Sequence, residues 1–143
     1  MRSVTPHKLF LDTNVWFSAF HGSANCTKLL KAHTQGIFIA VISQQVIEEA
    51  VKNIREKMPV LLPRFEQFMM ENPPQVVTNP GKINSKIVKL VDRKDQSLFT
   101  AAISDKVDFF VTGNIKDFSV EKLEAKTGIK TITPREAVEL LHL

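Results

Sequence analysis

Cysteine is nearly absent. Cys26 stands alone, so no intramolecular disulfide can form and no cysteine-built zinc site is available, the pattern of a reducing compartment and hence of the cytoplasm. Long apolar runs are missing too. The longest, Ile37 to Ile42, falls far short of the roughly 20 residues a membrane helix needs, and Met1 to Lys8 carries no apolar leader segment. No membrane role is expected. His7, His21, His33 and His142 are scattered without ligand spacing, which argues against zinc or copper. Glycine is scarce, with five residues, and no repeat or low-complexity tract is visible.

What is present is an ordinary globular balance. The chain has 143 residues, 43% apolar and 24% charged, enough for one buried core, so residues 1–143 are expected to form a single domain. Lys and Arg outnumber Asp and Glu by 19 to 15, a formal charge of +4 that tolerates a polyanionic partner.

Short continuous apolar runs with β-branched or aromatic content mark strands covered on both faces: Leu9 to Leu11, Ile37 to Ile42, Asp108 to Thr112 and Ile129 to Thr133. Helix-period segments alternate with them, at Ser23 to Gln35, Ser43 to Met58, Arg64 to Glu71, Gln96 to Lys106 and Pro134 to His142. Ser43 suits a helix N-cap, Pro134 a first turn, and Gly36 and Gly128 helix C-termini. The proline-rich Asn72 to Gly81 reads as a loop or an edge segment. This alternation predicts an α/β fold with a parallel sheet between helical layers.

Carboxylates recur just past the strands, where such a sheet collects its ligands. Asp12 follows Leu9-Phe10-Leu11; it fits a helix N-cap, a phosphoacceptor or a metal ligand, and Asn14 stands where phosphate-transferring hydrolases usually place a second Asp. Glu48 and Glu49 share a helix whose buried stripe is Val46, Ile47, Ala50 and Ile54. Glu48 pairs in sequence with Lys52, whereas Glu49 aligns with Gln45 and Asn53 on a flank without a cation, making it the better ligand candidate. Asp92 and Asp95 precede a helix, and capping accounts for one of them. Asn114 and Asp117 follow the strand DFFVT and fit Asx turns. Jointly these residues form an oxygen-donor set that suits Mg²⁺ or Mn²⁺, with Asn14 and Thr112 as orienting neighbours. If Lys82 to Arg93 is helical, Lys82, Lys86, Lys89 and Arg93 share one face that Lys94 extends, either a phosphate track or a solvated face.

The stretches LFLDTNVWFSAF, ISQQVIEE and DRKDQSLFTAAISDKVDFFVTGNIKDF, with a final strand and helix, resemble the PIN-domain family, in particular its bacterial and archaeal toxin-type ribonucleases. The resemblance implies a three-layer α/β/α sandwich with acidic residues that bind one or two divalent ions and hydrolyse RNA. It implies a catalytic set of Asp12, Glu49, Asp95 and Asn114, metal ligands among Asp12, Glu49, Asp95 and Asp117, and an accompanying Asp92. It also implies a toxin with an antitoxin partner, and a homodimer. Asn114 departs from the family, many of whose members carry Asp at that point, and so motivates a second hypothesis: a non-catalytic nucleic-acid-binding or scaffold module. A phosphatase or phosphoacceptor centred on Asp12 explains fewer of these residues.

Overall fold

Leu9, Phe10 and Leu11 are all fully buried, although neighbours along a strand point to opposite faces, so the first strand is covered on both sides. In the computed structural model, which describes residues 5–143, this strand is the centre of a five-stranded parallel sheet. The strands are β1 (Lys8–Leu11), β2 (Ile39–Ser43), β3 (Gln75–Val77), β4 (Phe109–Val111) and β5 (Lys130–Ile132), in the order β3-β2-β1-β4-β5. The chain builds outward from β1 to β3, then crosses back to place β4 on the other side of β1. That reversal opens a crevice beyond the carboxyl ends of β1 and β4, where α/β sheets seat ligands.

Helices form the outer layers of a three-layer sandwich: α1 (Thr13–Phe20), α2 (Ala24–Thr34), α3 (Gln44–Lys57), α4 (Leu62–Glu71), α5 (Gln96–Ser104), α6 (Val120–Thr127) and α7 (Pro134–Leu140). Several ends are set by single residues. The Ser43 hydroxyl accepts from Val46 N and starts α3 directly off β2, and Gly128 ends α6 at a φ of 76°, a left-handed conformation that glycine adopts freely. Thr133 and Glu136 close a reciprocal capping box around Pro134, the first residue of α7. Aromatic rings fill the core beside the sheet, with Phe110 packed on Phe10, Phe99 and Phe118.

Three features depart from the sequence expectation or sharpen it. Asn72 to Gly81 contains β3, a short edge strand parallel to β2, between Pro73-Pro74 and Pro80. Two further helices, α1 and α6, lie outside the expected helical segments. Lys82 to Arg93 is not a helix. It forms 3₁₀ turns at Ser85–Ile87 and, continuing onward, Arg93–Asp95, with local turn bonds such as Leu90 N to Ile87 O, while Leu90 to Asp92 bond to the strip after β4 and so leave the helical path. Asp92 N donates to Asp117 O, Ser119 N donates to Leu90 O, and Val91 bridges Phe118. Met1 to Val4, part of the segment read for a leader, lie outside the described residues. Among the described residues no helix is long and apolar enough to cross a membrane.

Candidate active site

Asp12 both caps α1 and faces the crevice. Its Oδ1 accepts from Thr13 N at 2.7 Å, and its Oδ2 accepts from Thr112 Oγ1 at 2.8 Å and Asn14 Nδ2 at 3.1 Å. Asn14 is held in turn by Gly113 N, which donates to its Oδ1 at 2.9 Å and ties the end of β4 to the start of α1. A Cβ at position 113 would sit 3.2 Å from that oxygen, so glycine permits the close approach. Asn14 and Thr112 therefore fix the orientation of a carboxylate that is only 3% exposed. Burial pushes the Asp12 pKa above its ordinary value against the hydrogen bonds from Thr112 and Thr13, and the Glu49 carboxylate pushes the same way.

Glu49 reaches the site from the second turn of α3. Thr13 Oγ1 donates to its Oε2 at 2.6 Å and Gln45 Nε2 to its Oε1 at 3.0 Å, with Ser97 Oγ anchoring Gln45 at 2.7 Å. Glu48 is exposed and does not line the pocket.

Asp92 and Asp95 separate into two roles. Asp92 is exposed and caps the 3₁₀ turn, accepting from Lys94 N. Asp95 makes no capping bond, is 9% exposed, and its Oδ2 is buried with no hydrogen-bond partner. Burial and the neighbouring Asp12 carboxylate raise its pKa to about 7, with Lys94 opposing.

An open pocket brings Asp12, Thr13, Asn14, Glu49, Asp95 and Asn114 together. The Asn114 side chain makes no capping bond and is exposed there. Asp117 is not drawn in. Its carboxylate pairs with Lys94 Nζ at 3.3 Å and does not line the pocket, although it stands near enough to Asp95 to add to the rise in its pKa. The basic residues read from the sequence, Arg93 and Lys94 included, do not line the pocket, although Lys94 stands near enough to Asp95 to act on its charge. Lys86 and Lys89 line a separate groove with Lys122 and Lys126, because the expected helix is replaced by turns. Sequence reasoning missed Phe17, Lys52 and Lys57, which do line the pocket. Lys52 makes no ion pair with Glu48 among the described residues. The periodicity carried part of the signal, since Asn53 and Lys57 follow Glu49 at successive helical turns of α3.

Among the described residues, no three His, Cys, Asp or Glu side chains gather closely enough to enclose an ion by themselves. The donor set instead fits Mg²⁺ or Mn²⁺, hard ions of which Mg²⁺ keeps several waters and takes one or two carboxylates together with phosphate oxygens. The unpartnered Asp95 Oδ2, in the same pocket as a fixed Asp12 whose charge it feels, is the feature that fits a cation best.

A family model described as PIN domain matches residues 8–116. No curated protein matches significantly. Among solved structures the chain is similar to VapBC2 from Rickettsia felis bound to a DNA fragment from its promoter, at 14% identity and a TM-score of 0.63, over 88% of this chain and 98% of that one. It is also similar to DNA-bound VapBC from Salmonella typhimurium, at 17% identity and a TM-score of 0.59, over 90% and 98% of the two chains. At these identities the likeness is one of fold.

Proposed function

This chain belongs to the PIN domain family, and on that premise we propose that it is a divalent-metal-dependent endoribonuclease, the toxin of a toxin-antitoxin pair. The observation that carries the proposal is the buried Asp95 Oδ2, left without a hydrogen-bond partner in a carboxyl group close enough to the buried Asp12 carboxylate to feel its charge. Two buried acids side by side repel each other and would repel a phosphate. A cation reverses both effects.

One or two of the Asp12, Asp95 and Glu49 carboxylates, together with waters and substrate phosphate oxygens, would hold Mg²⁺ or Mn²⁺. Such an ion supplies activation of water and neutralisation of charge on the phosphate. The chain's own residues do the positioning. Thr112 and Asn14 keep Asp12 Oδ2 turned inward, Thr13 and Gln45 hold the two Glu49 oxygens, and the neutral Asn114 amide adds polarity without another negative charge. The resemblance to toxin-type members of the family and the fold shared with DNA-bound VapBC support a protein antitoxin as partner, and we propose a homodimer as the assembly.

Asn114 favours the rival reading, a nucleic-acid-binding or scaffold module without turnover. A cleavage assay on single-stranded RNA with and without Mg²⁺ or Mn²⁺ separates the two, with Asp12→Asn as control. We expect metal-dependent cleavage that Asp12→Asn abolishes, while the variant folds normally. Binding without cleavage in either metal would sink the nuclease reading.

A further inference from the structure

The carboxylate pocket changes character along its length. At one end lie Asp12, Glu49 and Asp95; at the other lie the ring of Phe17, the amide of Asn53 and the ammonium groups of Lys52 and Lys57. The cause is the pairing of α1 and α3 in the same sense. Thr13 bonds Glu49 at the start, and one turn further Phe17 meets Lys57, whose Nζ lies 5.2 Å over the ring centroid. Phe17 shares the helical stripe of Thr13, and Asn53 and Lys57 share that of Glu49, so the groove continues about one to two turns beyond the acids. Phe17 is only half-buried, and His21 stacks beside it at 5.8 Å and 21°.

Neither lysine forms an ion pair among the described residues. A half-buried ring on the pocket wall, with His21 stacked beside it, a flexible ammonium group over its face and a second lysine in the same lining, has the elements that bind one unpaired nucleotide: a stacking surface for the base and cations for its phosphate. We propose that the α1–α3 groove is the subsite for the nucleotide next to the scissile phosphate, its base stacked on Phe17 and its phosphate held by Lys52 and Lys57. On binding, the Lys57 ammonium moves from the ring to the phosphate and the base takes its place. A base within a duplex is stacked on both sides and cannot reach this ring. The proposal rests on the ribonuclease reading for which phosphate is cleaved, but the stacking itself does not.

The test is binding of a short fluorescent single-stranded oligoribonucleotide by anisotropy in Mg²⁺, in an Asp12→Asn background that holds the RNA intact, with wild-type cleavage assayed in parallel. Phe17→Leu should weaken binding about tenfold and Phe17→Trp should restore it. In a series of RNAs with one abasic position each, one position should cost the Phe17-containing protein about tenfold and cost Phe17→Leu nothing, because the same contact is removed twice. Lys52→Gln and Lys57→Gln should each make the salt dependence shallower by about 0.7 in log–log slope. Equal binding by Phe17→Leu, or abasic losses unaltered in that variant, would overturn the subsite and leave the nuclease reading untouched. Loss of stacking in Phe17→Leu alongside a wild type that cleaves nothing would support the subsite and remove the nuclease.

Discussion

Asp95 is the residue on which chemistry and stability conflict. Its carboxyl is raised from 3.8 to about 7 by burial and by Asp12, so between those values the folded chain binds more protons than the unfolded one. The Asp95 contribution to metal-free stability is therefore fully present below about pH 4 and is lost as pH rises through about 7. Asp95→Asn should remove most of this slope and raise the melting temperature near neutrality, as measured by circular dichroism in EDTA across that range; a variant with the wild-type slope would show that Asp95 is not the group responsible. Asn114 makes the complementary case. It places an uncharged amide on the pocket wall, so Asn114→Asp should tighten Mg²⁺ or Mn²⁺ binding and lower the metal concentration needed for cleavage. Calorimetric titration of both proteins checks this, and superimposable isotherms would exclude position 114 from the metal site.

At the level of elements, caps and connections separate stability from function. The Thr133 capping box starts α7, a helix that packs on α2 and contributes nothing to the pocket lining. Thr133→Ala should cost about 1 kcal/mol, a fall of roughly 2–4 °C in melting temperature, with cleavage per folded molecule unchanged. A selective loss of activity would show coupling from α7 to the site. The segment from Lys82 to Arg93 teaches a different lesson. Its lysines have helical spacing, yet Ile87 and Val91 are buried and its backbone is bound to residues 117–119, so tertiary partners outcompete the local helix.

Over the whole molecule, the aromatic cluster links the sheet to the strips that carry the acids. Phe110 stacks on Phe10 at 5.2 Å and touches Phe99 at 5.0 Å and Phe118 at 5.3 Å, and Phe118 borders the turns holding Asp92 and Asp117. Phe110→Ala should open a cavity costing about 3–5 kcal/mol, a large share of the stability of a domain this size. Urea denaturation should show the loss as a lower midpoint; an unshifted midpoint would mean that the neighbouring rings collapse into the space.

Sequence alone determined what depends on neighbours along the chain. The covered strands show in continuous apolar runs, the Ser43 cap and the Gly128 helix end show in residue type, and Asp12 shows at a strand's carboxyl end, because backbone sterics, capping and burial periodicity act over a few residues. The helical stripe also separates Glu49 from Glu48, and Glu49 is the one that lines the pocket, but the flank read as free of cations carries Lys57 about two turns on. Tertiary structure alone decided which acids are engaged elsewhere. Asp92 caps a turn, Asp117 pairs with Lys94, and Asp95 is left without a partner, although all sit in similar local sequence. It also set Phe17, Lys52 and Lys57 beside the carboxylates, since that depends on how α1 lies against α3. Charge and burial act through space, between residues that the sequence holds far apart.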